Sequence, residues 1–175
     1  MTPHLQKAVF LDRDGTVIRD ANYLSTVEGV ALLPGAGEAL GALARAGFLL
    51  VLVTNQSGIG RGYFTAELVE AQHARLRELL KPFGAEFAAV EYCPHAPGAE
   101  CGCRKPQPGM LLAATGRLRV APADSFMVGD KPADVEAGRA AGCRTVFIGP
   151  ACQGADCCAP DLAAAAEWIL SRRAG

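Results

Sequence analysis

Short apolar runs alternate with helically spaced stretches along most of this chain. Ala8 to Leu11 and Phe48 to Val53 are wholly apolar. Runs of that length without polar alternation suit strands buried on both faces of a parallel sheet. Phe87 to Tyr92, Ser125 to Val128 and Thr145 to Ile148 supply a third, fourth and fifth strand. Between them, Leu40, Leu43 and Ala44 predict a helix over Glu38 to Ala46, ended by Gly47. Thr65 is placed to cap a helix over Ala66 to Leu80, whose inner face carries Leu68, Val69, Leu76, Leu79 and Leu80. Further helices are expected from Met110 to Leu118, in the segment that closes at Gly142, and from Asp161 to Arg172, with Leu162, Trp168 and Ile169 facing inward. Strands alternating with helices imply right-handed parallel crossovers, hence an α/β fold built on a doubly wound parallel sheet. Residues 17 to 33 read either as a small hairpin flap or as an ordinary polar loop. Beyond Pro150 the rhythm is lost.

Composition narrows this picture. The chain has 175 residues, half of them hydrophobic, which suits one well-buried core and is too short for two ordinary domains. A single domain over residues 1 to 175 is therefore expected. A net charge of −1 with scattered Lys and Arg argues against a nucleic-acid face, which needs a clustered basic patch. The longest apolar runs fall far short of the roughly 20 residues of a membrane span. Met1 to Lys7 does not resemble a signal peptide, so a cytoplasmic protein is expected. Seven cysteines are an odd count, which favours a metal site or free thiols over a disulfide framework. Without a long apolar edge or a heptad pattern, a monomer is the expected state.

Chemistry collects where the strands end. Asp12-Arg13-Asp14-Gly15-Thr16 follows the first strand. Paired carboxylates at a sheet edge repel one another, and a hard divalent cation such as magnesium is one remedy; an Asp-Gly turn is the other reading. The second strand ends in Thr54-Asn55-Gln56-Ser57-Gly58, where a hydroxyl, amides and backbone N–H groups can hold phosphate oxygens. The fourth ends in Gly129-Asp130, placing Asp130 to share a cation with Asp12 and Asp14. Asp134 is read first as a group at the start of the next helix. His73 is read as a solvated or packing residue.

The most specific short motif is Cys93-Pro94-His95, followed by Cys101-Gly102-Cys103. Three thiols and an imidazole at this spacing match a closed tetrahedral zinc site, which would fold a loop (93 to 103) too poor in apolar residues to fold itself. Arg104 and Lys105 come next, on a proline-stiffened segment suited to fixed phosphate ligands. Cys152, Cys157 and Cys158 have no accompanying His and are read as free thiols.

Taken in order, Asp12-Arg13-Asp14-Gly15-Thr16, Thr54-Asn55-Gln56, Lys105 and Gly129-Asp130 resemble the four motifs of the haloacid dehalogenase superfamily of phosphotransferases. The match runs from Val9 to Ile148. The Thr-Asn-Gln-Ser-Gly-Ile loop, the Cys/His motif and Cys-Arg-Lys-Pro-x-Pro-Gly-Met further resemble its heptose-bisphosphate phosphatases, and the related histidinol-phosphate phosphatases. The resemblance implies a Rossmann-like core without a cap domain. It implies Asp12 as nucleophile, Asp14 as general acid and base, and Thr54 and Lys105 as holders of the transferring phosphoryl group. Magnesium would be held by Asp12, the backbone carbonyl of Asp14, and Asp130; zinc by Cys93, His95, Cys101 and Cys103. Asp20, Asn22, Tyr23, Asn55, Gln56 and Ser57 would line a sugar bisphosphate, with Arg104 on its second phosphate. The implied setting is heptose supply for lipopolysaccharide.

Overall fold

The computed structural model describes residues 5–172; Met1 to His4, part of the segment read against a signal peptide, and residues 173–175 lie outside them. Six strands form one sheet: β1 (Ala8–Leu11), β2 (Leu49–Asn55), β3 (Phe87–Cys93), β4 (Phe126–Gly129), β5 (Arg144–Ile148) and β6 (Cys157–Ala159). Their order is β3-β2-β1-β4-β5-β6, and every pairing is parallel. The helices are α1 (Ala36–Arg45), the single turn α2 (Ser57–Gly60), α3 (Ala66–Leu80), α4 (Gly109–Leu118), α5 (Pro132–Ala140) and α6 (Leu162–Ser171).

Side chains of the central strands divide by parity. Val9, Leu11, Leu50, Leu52, Phe126 and Val128 pack with α1, α6 and the Leu76–Leu80 end of α3. Ala8, Phe10, Val51, Val53 and Met127 pack on the other face with α4 and α5. Burial on both faces is why these strands carry no polar alternation. It also makes the fold doubly wound. The strand order reverses between β1 and β4, and in such sheets ligands bind outside the carboxyl ends at that switch. Asp12 and Asp130 stand there, after β1 and at the end of β4.

Thr65 caps α3 as expected, its hydroxyl accepting from the Leu68 N–H. Asp161 does the same for α6 through Ala164. Helix α1 begins two residues earlier than its apolar spacing indicates, directly after Gly35, whose φ of 75° makes the turn. Residues 17–33 form no strands of their own. An antiparallel bridge between Ile18 and Leu32 closes the base of the loop, while Asn22 and Tyr23 take positive φ and break extended pairing at its tip.

Two readings of the C-terminal third need correction. A sixth strand, β6, lies after Pro150 and pairs with β5; at three residues it is too short to show a period. Cys152 and Cys158 are not free thiols. The turn between them brings their Cα atoms to 5.0 Å and they are disulfide-bonded, whereas Cys157 is free. No helix among the described residues is long and apolar enough to cross a membrane.

Candidate active site

Lys105 anchors the centre. It is 4% exposed, and its Nζ donates to Asp12 Oδ1 at 2.8 Å, the Val53 carbonyl at 2.8 Å and Asp134 Oδ1 at 2.6 Å. An ammonium has three N–H donors, so all are used. Burial pulls against its charge, but Asp12 and Asp134 hold Lys105 above the ordinary lysine range. Its backbone is fixed as firmly. Asn55 Nδ2 donates to the Lys105 carbonyl at 3.1 Å, and the Lys105 N–H donates to Asn55 Oδ1 at 3.0 Å. The end of β2 therefore clamps the segment after the Cys/His motif.

One lysine does not balance the acids around it. Carboxylate oxygens of Asp12, Asp130 and Asp134 all lie within 4.8 Å of one another. Burial, and then the charge of Asp12, push Asp134 up to about 6 against the pull of Lys105. Asp130 is also raised by burial, with Lys131 opposing and Asp12 adding to the shift. Asp130 Oδ1 is buried and has no hydrogen-bond partner. Surplus carboxylate charge and an orphaned oxygen fit a hard divalent cation of the magnesium type. Gly15, with φ of 83°, leaves room for the Asp130 carboxylate, which a Cβ at that position would strike. Asp134 also acts where the sequence placed it. Its Oδ2 accepts the Lys131 N–H at 2.9 Å at the start of α5.

The Asp14 carboxylate lies outside that cluster and is turned toward Arg13 and Gln56. Arg13 donates to it from Nε at 3.0 Å and from Nη2 at 3.2 Å, and Gln56 Nε2 donates at 3.0 Å. Gln56 Nε2 also reaches Thr54 Oγ1 at 2.9 Å, and its Oε1 accepts from Arg13 at 3.1 Å. Both ends of the Gln56 amide are thus engaged within the protein, as are both ends of Asn55.

These groups face a cleft of about 410 Å³. Asp12, Asp14, Asp20, Asn22, Tyr23, Thr54, Asn55, Gln56, Ser57, Arg104 and Lys105 all line it. Arg104 Nη1 is buried without a partner. Lys131 bridges the mouth, its Nζ 2.5 Å from Asp130 and 3.6 Å from Asp20. Tyr23 meets the exposed Tyr63 edge-on at 5.0 Å, under the Arg61 guanidinium. Sequence reasoning missed Arg13, Lys131, Tyr63 and the Lys105 contact of Asp134. A charge wedged between two acids was the only signal for Arg13, and such a charge ordinarily reads as solvated.

Behind the cleft the Cys/His motif is already gathered. Cys93 Sγ lies 3.4 Å from His95 Nδ1, 3.8 Å from Cys101 Sγ and 3.2 Å from Cys103 Sγ; Cys103 Sγ lies 3.3 Å from His95 Nδ1. A tetrahedral zinc with bonds of 2.0–2.3 Å sets its ligand atoms about 3.3–3.8 Å apart. The donor set and its spacing fit zinc. β3 delivers Cys93 beside Asn55 in register, and Gly60 packs against the backbone of the loop at Pro94 to Ala96.

A family model described as HAD-hyrolase-like matches residues 102–157. The chain is 41% identical over 143 residues to a Pseudomonas putida protein named D-glycero-beta-D-manno-heptose-1,7-bisphosphate 7-phosphatase, covering 81% of this chain and 82% of that one. It is 39% identical over 175 residues to the Escherichia coli K12 protein of the same name, covering 94% and 88%. Among solved structures, the D,D-heptose 1.7-bisphosphate phosphatase from B. bronchiseptica, complexed with magnesium and phosphate, superposes with a TM-score of 0.89 at 33% identity, covering 95% of this chain and 99% of that one.

Proposed function

Because the chain belongs to the D-glycero-beta-D-manno-heptose-1,7-bisphosphate 7-phosphatases of the HAD-like hydrolases, we propose that it hydrolyses the 7-phosphate of that sugar through an aspartyl phosphate. The observation that carries the chemistry is the contact of Lys105 Nζ with Asp12 at the switch point of the sheet. A carboxylate held beside a fixed ammonium, open to a cleft, is a nucleophile with its phosphoryl site attached.

In this reading an Asp12 oxygen attacks phosphorus while the bond from phosphorus to the sugar oxygen breaks. Asp14 gives that oxygen its proton. Asp14 then takes a proton from a water, which attacks the aspartyl phosphate and frees inorganic phosphate and Asp12. Lys105 Nζ and Thr54 Oγ1 hold the phosphoryl oxygens as negative charge shifts among them. Asp12, Asp130 and the backbone carbonyl of Asp14 would hold magnesium, with Asp134 close behind. When bound, magnesium neutralises the surplus carboxylates and the phosphoryl charge. Cys93, His95, Cys101 and Cys103 would hold zinc, which fixes the segment leading to Arg104 and Lys105.

Arg104, with an unpartnered buried N–H group, suits the second, non-reacting phosphate. Asp20, Asn22, Tyr23 and Ser57 are left to read the sugar. Asn55 and Gln56 are better assigned to holding Lys105 and Asp14 in place, because their amides are already occupied. A small sugar bisphosphate is the partner, and a cytoplasmic enzyme of heptose supply for lipopolysaccharide is the setting. In this reading the chain is a single catalytic domain that acts as a monomer.

The test is kcat/KM with magnesium on the β and α anomers of heptose 1,7-bisphosphate and on histidinol phosphate. Preference for the β anomer is expected. Preference for histidinol phosphate would overturn the substrate, and turnover by Asp12→Asn would overturn the mechanism.

A further inference from the structure

Arg13 is 2% exposed and uses all five of its N–H groups. Nε and one Nη2 hydrogen go to Asp14, and the other Nη2 hydrogen goes to Gln56. Nη1 donates to Gln72 Oε1 at 3.0 Å and meets His73 Nε2 at 3.4 Å. Burial, then the charges of Arg13 and Arg77, depress His73 to about 3, so the neutral ring accepts from Arg13. Gln72, 1% exposed on α3, spends its other end elsewhere. Its Nε2 donates to the carbonyls of Leu24 at 2.9 Å and Thr26 at 3.2 Å. Those carbonyls belong to the loop that carries Asp20, Asn22 and Tyr23 into the cleft.

A buried glutamine with three such bonds is expensive packing unless the connection matters, since each bond fixes a polar group that an apolar core would not need. We propose that Gln72, acting through Arg13, is a positioning residue that couples the substrate-facing loop to the Asp14 carboxylate. Loop 20–26 and Asp14 then share one rigid support on α3. A substrate that seats the loop correctly also finds Asp14 oriented toward its leaving oxygen. The inference rests on Asp14 being the acid, as argued above.

The leaving group separates positioning from mere packing. A sugar alkoxide leaves only with a proton, whereas p-nitrophenolate leaves without one. Single-turnover phosphoryl transfer is measured with heptose bisphosphate and with p-nitrophenyl phosphate, in the magnesium-loaded full chain. Gln72→Met should slow transfer from the sugar by about tenfold or more, within the 10²–10⁴ range that an acid contributes, and transfer from the aryl ester by less than about twofold. Gln72→Glu keeps an acceptor for Arg13 but loses the donor to Leu24 and Thr26. It should restore most of the sugar rate while raising KM for the bisphosphate about tenfold or more, because both hydrogen bonds to the loop are lost. If Gln72→Met does not fold, Gln72→Asn carries the same test, because the shorter amide cannot reach Arg13 and the Leu24 and Thr26 carbonyls together. Equal losses on both substrates, or none, would overturn the coupling. Asp14→Asn distinguishes the two readings. If it is inactive on the sugar while both Gln72 variants match wild type, the coupling alone fails; if it still hydrolyses the sugar, the assignment of Asp14 fails.

Discussion

Replacing Lys105 with methionine tests the electrostatics of the centre directly. Methionine fills much the same volume, so the change is chiefly the loss of a charge and three donors. The Val53 carbonyl loses its side-chain donor, and Asp12 and Asp134 face each other with no cation between them. Removing one partner of a buried ion pair costs about 3–5 kcal/mol. A domain of ordinary stability, about 5–15 kcal/mol, survives that loss. With a urea slope of about 2 kcal/mol/M, the unfolding midpoint should fall by about 2 M in magnesium-free buffer at pH 7.5. At pH 5.5 the deficit should shrink, because Asp134, already lifted to about 6 by burial and Asp12, then takes up a proton and relieves the repulsion. Magnesium should raise the midpoint of the variant more than that of the wild type, since a cation can replace the missing charge. Turnover should fall by about 10²–10³, the usual loss for one charge-stabilising donor. A midpoint within about 0.3 M of wild type at pH 7.5, about 0.6 kcal/mol at that slope, would refute the reasoning.

The other predictions follow from single features. Purified protein should carry about one zinc per chain, measured by elemental analysis; Cys101→Ser should lose the zinc, several kcal/mol of stability and most activity, and magnesium alone should not rescue it. Gly15→Ala forces a Cβ into the Asp130 carboxylate at a positive φ, and the magnesium concentration for half-maximal turnover should rise about tenfold, matching 1–3 kcal/mol of strain. His73 should make the fold acid-sensitive. Its folded value of about 3 lies below the ordinary histidine value of 6.5, so the unfolded chain binds the proton first, and the stabilisation is complete above pH 6.5 and lost as pH falls toward 3. Between pH 7 and 5 the loss is about 2 kcal/mol, at 1.4 kcal/mol per unit; urea titrations of His73→Gln should show a shallower slope than wild type over that interval.

What the sequence made legible and what it hid divide along a physical line. Strands β1, β2 and β4 announce themselves because burial on both faces leaves no room for polar residues, and their carboxyl ends announce the site because Asp12, Thr54 and Asp130 interrupt that run. The cap at Thr65 was readable because it acts within three residues, whereas Asp161, read as the first residue of the last helix, is its cap. Strand β6 was not, since three residues hold no period and its partner Ile148 comes before the break in rhythm. The Cys152–Cys158 pair depended on a turn whose geometry composition does not encode. Within the site, the hidden part is the buried polar support. Asp134 reads as a helix-start residue because the bond to the Lys131 N–H is three residues away, while its contact with Lys105 spans 29. Arg13 went unassigned because its partner Gln72 lies 59 residues on. A sequence shows carboxylates and a threonine where apolar strands end, a pattern that points to a site. It does not show which amides hold them. Asn55, Gln56 and Gln72 each bind the backbone or side chain of a charged group from another segment, so their role exists only once the sheet has brought the segments together. The geometry of the proposed site is therefore set as much by neutral amides as by the charged groups they hold.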